Sequence, residues 1–208
     1  ITNRVSVLST GLAIDPITIA QKAIPGLFNE ITSTEIDNYL AETAAALTVE
    51  HPDYSYLAAR VKANALHKET PGFIIATKNL YEDGLLKQEY YNKVMENADV
   101  IESIIDYDRD YHFDYFALTT LTRAYLLKFE NKTIERPQDL WMRVSLTVSC
   151  KEFDYEKVKQ TYLALSEGQY THATPTLFNS GLKMQQLSSC FLIAMEDDSI
   201  EGIFNTIK

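Results

Sequence analysis

Apolar residues recur at three- and four-residue spacing along most of this chain, the period that gathers them on one face of an α-helix. From Pro16 to Thr70 the period holds throughout, with Ile36, Leu40, Ala44 and Leu47 forming one such stripe, and three helices fit. The second opens at Thr32-Ser33-Thr34-Glu35. There the threonine hydroxyl can take the third helical amide while the glutamate reaches back, a capping box. The third follows His51-Pro52-Asp53, with Asp53 read as its cap, and stops at Thr70-Pro71-Gly72. That Pro-Gly pair is the first expected domain boundary.

The same period predicts helices over 73–81, 85–95, 115–129, 137–148 and 155–166. Between them, Asp106-Tyr107-Asp108-Arg109-Asp110-Tyr111-His112-Phe113 alternates acids with aromatics. Hard cations need several converging oxygens around a tight turn, and no glycine turn is present, so a solvated loop with packed aromatics is expected rather than a metal site. After Gly168 the pattern changes. Residues 170–174 read as extended, Pro175 ends that run, and Asn179-Ser180-Gly181 marks a turn. The apolar run 187–195 suits a short strand covered on both faces, and 198–208 reads as a helix with Asp197, Asp198 and Ser199 at its start. The expected fold is therefore mainly α: a helical module over 1–72, a helical domain over 73–168, and over 169–208 the opening strands of an α/β barrel or sheet.

Composition narrows the partners. Of 208 residues, 46% are hydrophobic and 23% charged, ordinary for a packed globular protein. A net charge of -10 argues against nucleic acid held on a broad basic surface, although a helix N-terminus with one or two cations still suffices for a small phosphorylated ligand. No apolar stretch approaches the roughly 20 residues that span a bilayer, so no membrane partner is expected. Two cysteines, Cys150 and Cys190, are too few for a secreted disulfide scaffold, and no signal segment opens the chain; a cytoplasmic setting is expected. The chain begins at Ile1 and ends inside a predicted helix, so a fragment of a longer protein is expected.

Cys190 is the candidate for chemistry. A cysteine in an apolar run is commonly a small buried hydrophobe. Ser188 and Ser189 set two hydroxyls beside it that need partners if buried, which a ligand or backbone carbonyls can supply. Spacing alone leaves both readings open.

Three longer motifs carry a resemblance: Thr171-His172-Ala173-Thr174-Pro175-Thr176-Leu177-Phe178-Asn179-Ser180-Gly181, then Gln186-Leu187-Ser188-Ser189-Cys190-Phe191-Leu192, then Asp197-Asp198-Ser199-Ile200-Glu201-Gly202-Ile203. In this order they resemble the large subunit of class I ribonucleotide reductases. The likeness extends upstream through Arg136-Pro137-Gln138, Trp141-Met142-Arg143-Val144-Ser145, Tyr125-Leu126-Leu127-Lys128, His51-Pro52-Asp53-Tyr54 and Leu40-Ala41-Glu42-Thr43-Ala44-Ala45.

The resemblance implies reduction of ribonucleoside diphosphates to deoxyribonucleoside diphosphates in a ten-stranded α/β barrel that this chain only begins. Cys190 would be one of two thiols that become a disulfide, its partner lying beyond Lys208, since Cys150 resembles neither that partner nor the radical thiol. Thr174 and Ser189 would meet the substrate's ribose or phosphates; by themselves they read as a cap or strand-end hydroxyl and a hydroxyl satisfied by backbone carbonyls. Asp198, Ser199 and Ile200 would begin the specificity site for an effector such as dTTP, near a homodimer interface, where an acid at a helix start otherwise reads as an N-cap.

Residues 1 to about 70 resemble the ATP-cone, which senses ATP against dATP. Ser33 and Asp37 would face adenine and ribose and Lys68 the phosphates; otherwise they are a cap flank, a solvated acid and a surface lysine. The sequence departs from the family in two places: the β-hairpin that carries the cone's basic residues is expected before Ile1 and is missing, and Leu182-Lys183-Met184-Gln185 lacks a proline before the glutamine. The resemblance further implies a radical delivered by a metal-bearing small subunit, thioredoxin or glutaredoxin as external reductant, no covalently bound cofactor and no metal in this chain. By itself the chain would then have no turnover. A stand-alone nucleotide-sensing module is the alternative, and a ligand-free helical interaction domain a third reading.

Overall fold

Local capping explains where several helices begin in the computed structural model, which describes residues 1–149 and 151–208. Cys150, and with it the reading of that cysteine, lies outside the described residues. Asp15 accepts from the Ile17 amide and Pro16 occupies the first position of α2 (Pro16–Ala23), which follows α1 (Thr2–Leu8). The Thr32 capping box opens α3 (Ser33–Ala46): the Glu35 amide donates to Thr32 Oγ1 at 3.2 Å and the Thr32 amide donates to Glu35 Oε2 at 2.8 Å. Next come α4 (Asp53–Glu69), α5 (Phe73–Glu82), α6 (Gln88–Glu96) and α7 (Ala98–Ile104). A 3-10 helix (Tyr107–His112) leads into α8 (Tyr115–Thr120), capped by Asp114, and a π turn (Leu121–Tyr125). The hairpin β1 (Lys128–Phe129) and β2 (Lys132–Thr133) precedes α9 (Pro137–Val148), α10 (Tyr155–Ser166), α11 (Thr174–Asn179) and α12 (Ile200–Ile207).

The buried apolar side chains gather into two main clusters. Val5, Ile19, Leu40, Ala44, Leu57 and Val61 bring α1 to α4 together. Leu66, Phe73, Leu80, Ile101, Met142 and Tyr162 do so for α4 to α10. Helix α4 serves both, and Ala59 and Ala63 on a further face meet Leu118 of α8. A helix buried on several faces at once holds its neighbours in register. Each fully buried leucine in these clusters contributes roughly 1.5–3 kcal/mol. No helix among the described residues is long and apolar enough to cross a membrane.

The chain is mainly α-helical, as its periodicity predicts, but several expectations need correction. The strand expected over 187–195 is irregular and exposed, with Phe191, Ile193 and Met195 open to solvent and Leu192 fully so. A strand exists by its ladder, and no described segment offers this run one. The helix expected over 115–129 is cut short by the π turn and then by a chain reversal in which Glu130 and Asn131 both take positive φ, 47° and 64°. Pro175 stands at the second position of α11 instead of ending a run, since a proline in the first turn gives up no intrahelical hydrogen bond. Pro52 rather than Asp53 precedes α4, and the Asp53 carboxylate accepts from the Ala13 amide at 2.7 Å. The 106–113 stretch is a 3-10 helix with Asp110 fully buried, not a solvated loop.

Candidate functional site

Cys190 sits in the exposed stretch after α11, with its thiol free and 3.9 Å from Ser189 Oγ. The start of this stretch is tied to α11: Thr176 Oγ1 donates to the Leu187 carbonyl at 2.9 Å, and Asn179 Nδ2 donates to that of Gln186 at 2.8 Å. Thr174, the first residue of α11, lies with its hydroxyl 3.3 Å from that of Tyr125. The fold thus carries Thr174 and the cysteine run on one anchored unit, without a hydrogen bond between Thr174 and Ser189. Nearby, His172 packs edge-on against Tyr170 and keeps a buried Nε2 without a partner.

The loop that lacks the family's proline is held from the other side. Lys183 N–H donates to the Leu85 carbonyl at 2.9 Å, Lys87 N–H to that of Gly181 at 3.0 Å, and Leu86 and Leu182 form an antiparallel bridge. Gly181 has a φ of 77° with the Tyr90 ring 3.3 Å from where a Cβ would sit, so conformation and space both call for glycine.

At the α12 start, Ser199 rather than Asp198 is the cap: its hydroxyl accepts from the Gly202 amide at 3.0 Å, and the helix begins at Ile200, two residues later than expected. Asp198 is exposed. The Glu196 amide donates to Thr206 Oγ1 at 3.0 Å, folding the Asp197 loop back over the helix. A Cβ on Gly202 would stand 2.4 Å from the Asp197 carbonyl oxygen, which explains a glycine inside a helix.

The three activity-site candidates divide. Asp37 is only 1% exposed, and its carboxylate is gripped by Arg4 from α1 and by Lys68 Nζ from α4 at 3.0 Å. Ser33, one turn earlier on α3, is exposed and takes no part in that contact. Arg4 was not foreseen. It lies in a short helix before the first periodic run, and only an unassigned cation near a buried acid signals it.

The family "Ribonucleotide reductase, all-alpha domain" matches residues 111–185. Over 94% of this chain it is 45% identical to the ribonucleoside-diphosphate reductase large subunit of Dictyostelium discoideum, covering 23% of that protein. Over its full length it is 45% identical to large chain 2 of the Saccharomyces cerevisiae enzyme, of which it covers 25%, and to the large subunit of Danio rerio, of which it covers 28%. Across its length the chain is thus similar to part of a ribonucleotide reductase large subunit. It spans about a quarter of the length of these relatives.

The region that matches the all-alpha domain contains polar machinery that periodicity does not reveal. Arg143 is buried and donates to both oxygens of buried Glu135, at 2.5 and 3.1 Å, and to the Ser180 carbonyl at 2.9 Å. It therefore joins α9 to the end of α11 and the loop toward Cys190. Removing one partner of such a pair costs about 3–5 kcal/mol, because the other charge is left buried alone.

A second network ties α4 to α9 and α10. His67 Nε2 lies 2.7 Å from Asp110 Oδ2, and Gln138 Nε2 donates to Asp110 Oδ1 at 3.1 Å. Gln138 in turn accepts from Tyr162 and Ser166, both at 2.8 Å. Burial pushes the Asp110 carboxyl above its ordinary range, while His67 and Gln138 pull it back. Alongside, Tyr107 donates to Asp139 at 2.7 Å, and Arg136 donates to the carbonyls of His67 and Thr70. Among the described residues no group of three or more His, Cys, Asp or Glu is placed to hold a metal.

Proposed function

We propose that this chain is part of a ribonucleoside-diphosphate reductase and that Cys190 supplies one of its two reducing thiols. The observation that carries the proposal is the match of the whole chain to large subunits of that name, across the motif that contains Cys190. Replacing a ribose hydroxyl by hydrogen consumes two electrons and two protons and releases water. Two thiols supply both on becoming a disulfide, provided their α-carbons come within about 6 Å. An exposed thiol beside a hydroxyl, on a stretch pinned to α11, suits that role. Thr174 and Ser189 then meet the nucleoside diphosphate, and Asp198, Ser199 and Ile200 begin a specificity site for effectors such as dTTP. Residues 1–72 act as the ATP- and dATP-sensing module through Ser33, Asp37 and Lys68, residues 73–168 as the helical domain, and 169–208 as the approach to the barrel. On this reading the protein works in the cytoplasm as a homodimer with a radical-bearing small subunit, re-reduced by thioredoxin or glutaredoxin.

The test is made in the full-length protein containing this chain. Cys190→Ser is expected to lower deoxynucleotide formation by at least 10³-fold while dTTP binding persists. Substantial turnover by the Cys190→Ser protein would refute the assignment.

A further inference from the structure

One cleft is used by none of these assignments. It has a volume of about 510 Å³ and lies between the start of α6, the end of α9 and the 181–185 loop. Its size is in the range of small-molecule sites. Lys87 at the cap of α6, Lys93 within α6 and Lys151 after α9 line it, with Glu89 as the one carboxylate among the described lining residues. Three cations against one acid form a local excess of positive charge in a chain whose net charge is -10. Glu96 and Glu152 line the adjoining groove together with Lys93 and Lys151 and temper the field on that side.

The partners of these lysines matter. Half-buried Lys87 donates to the neutral Gln185 side chain at 2.7 Å and has no carboxylate within ion-pair distance among the described residues. Lys151 is exposed and likewise makes no ion pair among them. Lys93 donates to the Leu146 carbonyl at 3.1 Å, which fixes its ammonium beside the end of α9. Helix α6 starts here with no capping side chain, so the positive end of its dipole faces the same region. Tyr90, also in the lining, has a buried hydroxyl with no hydrogen-bond partner. Apolar wall is supplied by Leu146 and Val148.

We propose that this cleft binds a small phosphate-bearing anion, its oligophosphate held by Lys87, Lys93 and Lys151 and its body against the apolar wall. Like-charged ammonium groups so placed repel one another, and a multivalent anion relieves that repulsion while completing Lys87 with a charged partner. Because Lys87 also holds Gln185, occupancy would act on the loop leading to Cys190.

The probe is inorganic pyrophosphate, titrated calorimetrically into the 208-residue chain at low ionic strength. The expected result is saturable binding that weakens at least tenfold in the Lys87→Met/Lys151→Met double variant and is unchanged by Lys132→Met, which removes an exposed lysine of β2 outside every assigned site. Absence of saturable binding by the folded wild-type chain, or weakening by Lys132→Met but not by the double variant, overturns the proposal. If the double variant is not folded by circular dichroism, amide shifts in the wild type decide. Perturbation at 87–93 and 181–185 supports the cleft, and perturbation confined to the surroundings of Arg4, Asp37 and Lys68 or to α12 rejects it.

Discussion

Asp139 shows how burial can dominate the behaviour of a single residue. Its carboxyl is fully buried, and burial pushes it up to about 7, outweighing the hydrogen bonds from Tyr107 and the Arg136 amide that favour the anion. The folded chain therefore holds this proton more tightly than the unfolded chain, whose carboxyl titrates near its ordinary value of 3.8. The stabilisation from the bound proton is complete below about pH 4 and is lost as pH rises through about 7. Buried Asp110 acts in the same direction. Thermal melts of the wild type are accordingly expected to fall from pH 5 to pH 8. Asp139→Asn keeps an acceptor for the Arg136 amide, and the Tyr107 hydroxyl can turn to accept from the new amide, so this variant should show a visibly shallower decline. An identical pH slope in both proteins would count against the buried proton. Nothing in the periodicity marks Asp139 or its neighbour Gln138 as buried; they follow from which face of α9 meets the 3-10 helix.

Elements were legible in proportion to how local their causes are. The α9 and α10 bounds coincide with those expected, because Pro137 and Asp154 mark their starts within the adjacent sequence. Capping at Thr32 is equally local. The hairpin after the π turn was not legible. Periodicity is blind to a two-residue reversal, and Glu-Asn is a weak signal for one, although both residues take the left-handed conformation that an Asn-Gly pair adopts readily. From this follows a stabilising change: Glu130→Asn with Asn131→Gly should relieve a left-handed strain of roughly 1–2 kcal/mol per residue at most, offset in part by the greater freedom glycine gives the unfolded chain, for a net gain of about 1 kcal/mol. Urea unfolding with unchanged m-value reports it directly, and a loss of stability would mean that the native side chains hold the turn by other contacts.

At the scale of the whole molecule the candidate site was legible as motif and not as geometry. Thr174, Ser189, Cys190 and Asp198 follow one another in the expected order, yet the 187–195 run has no strand to pair with among the described residues, and pairing is a long-range property that composition does not encode. Its consequence is a continuous apolar exposure. Phe191, Leu192, Ile193 and Met195 precede a helix whose Ile200, Phe204 and Ile207 are also more than half exposed. Surfaces of this kind mark places where further polypeptide or a partner packs, and unpaired backbone beside them favours association. The 208-residue chain by itself is therefore expected to self-associate reversibly as its concentration rises and to bind a hydrophobic dye. Leu192→Ser with Phe204→Ser should lower both without altering the helical circular dichroism, since neither side chain supports the two buried clusters. Sedimentation velocity distinguishes the outcomes: a wild-type chain that stays monomeric across the concentration series, or a variant that associates equally well, would place the driving contacts elsewhere on the helical body.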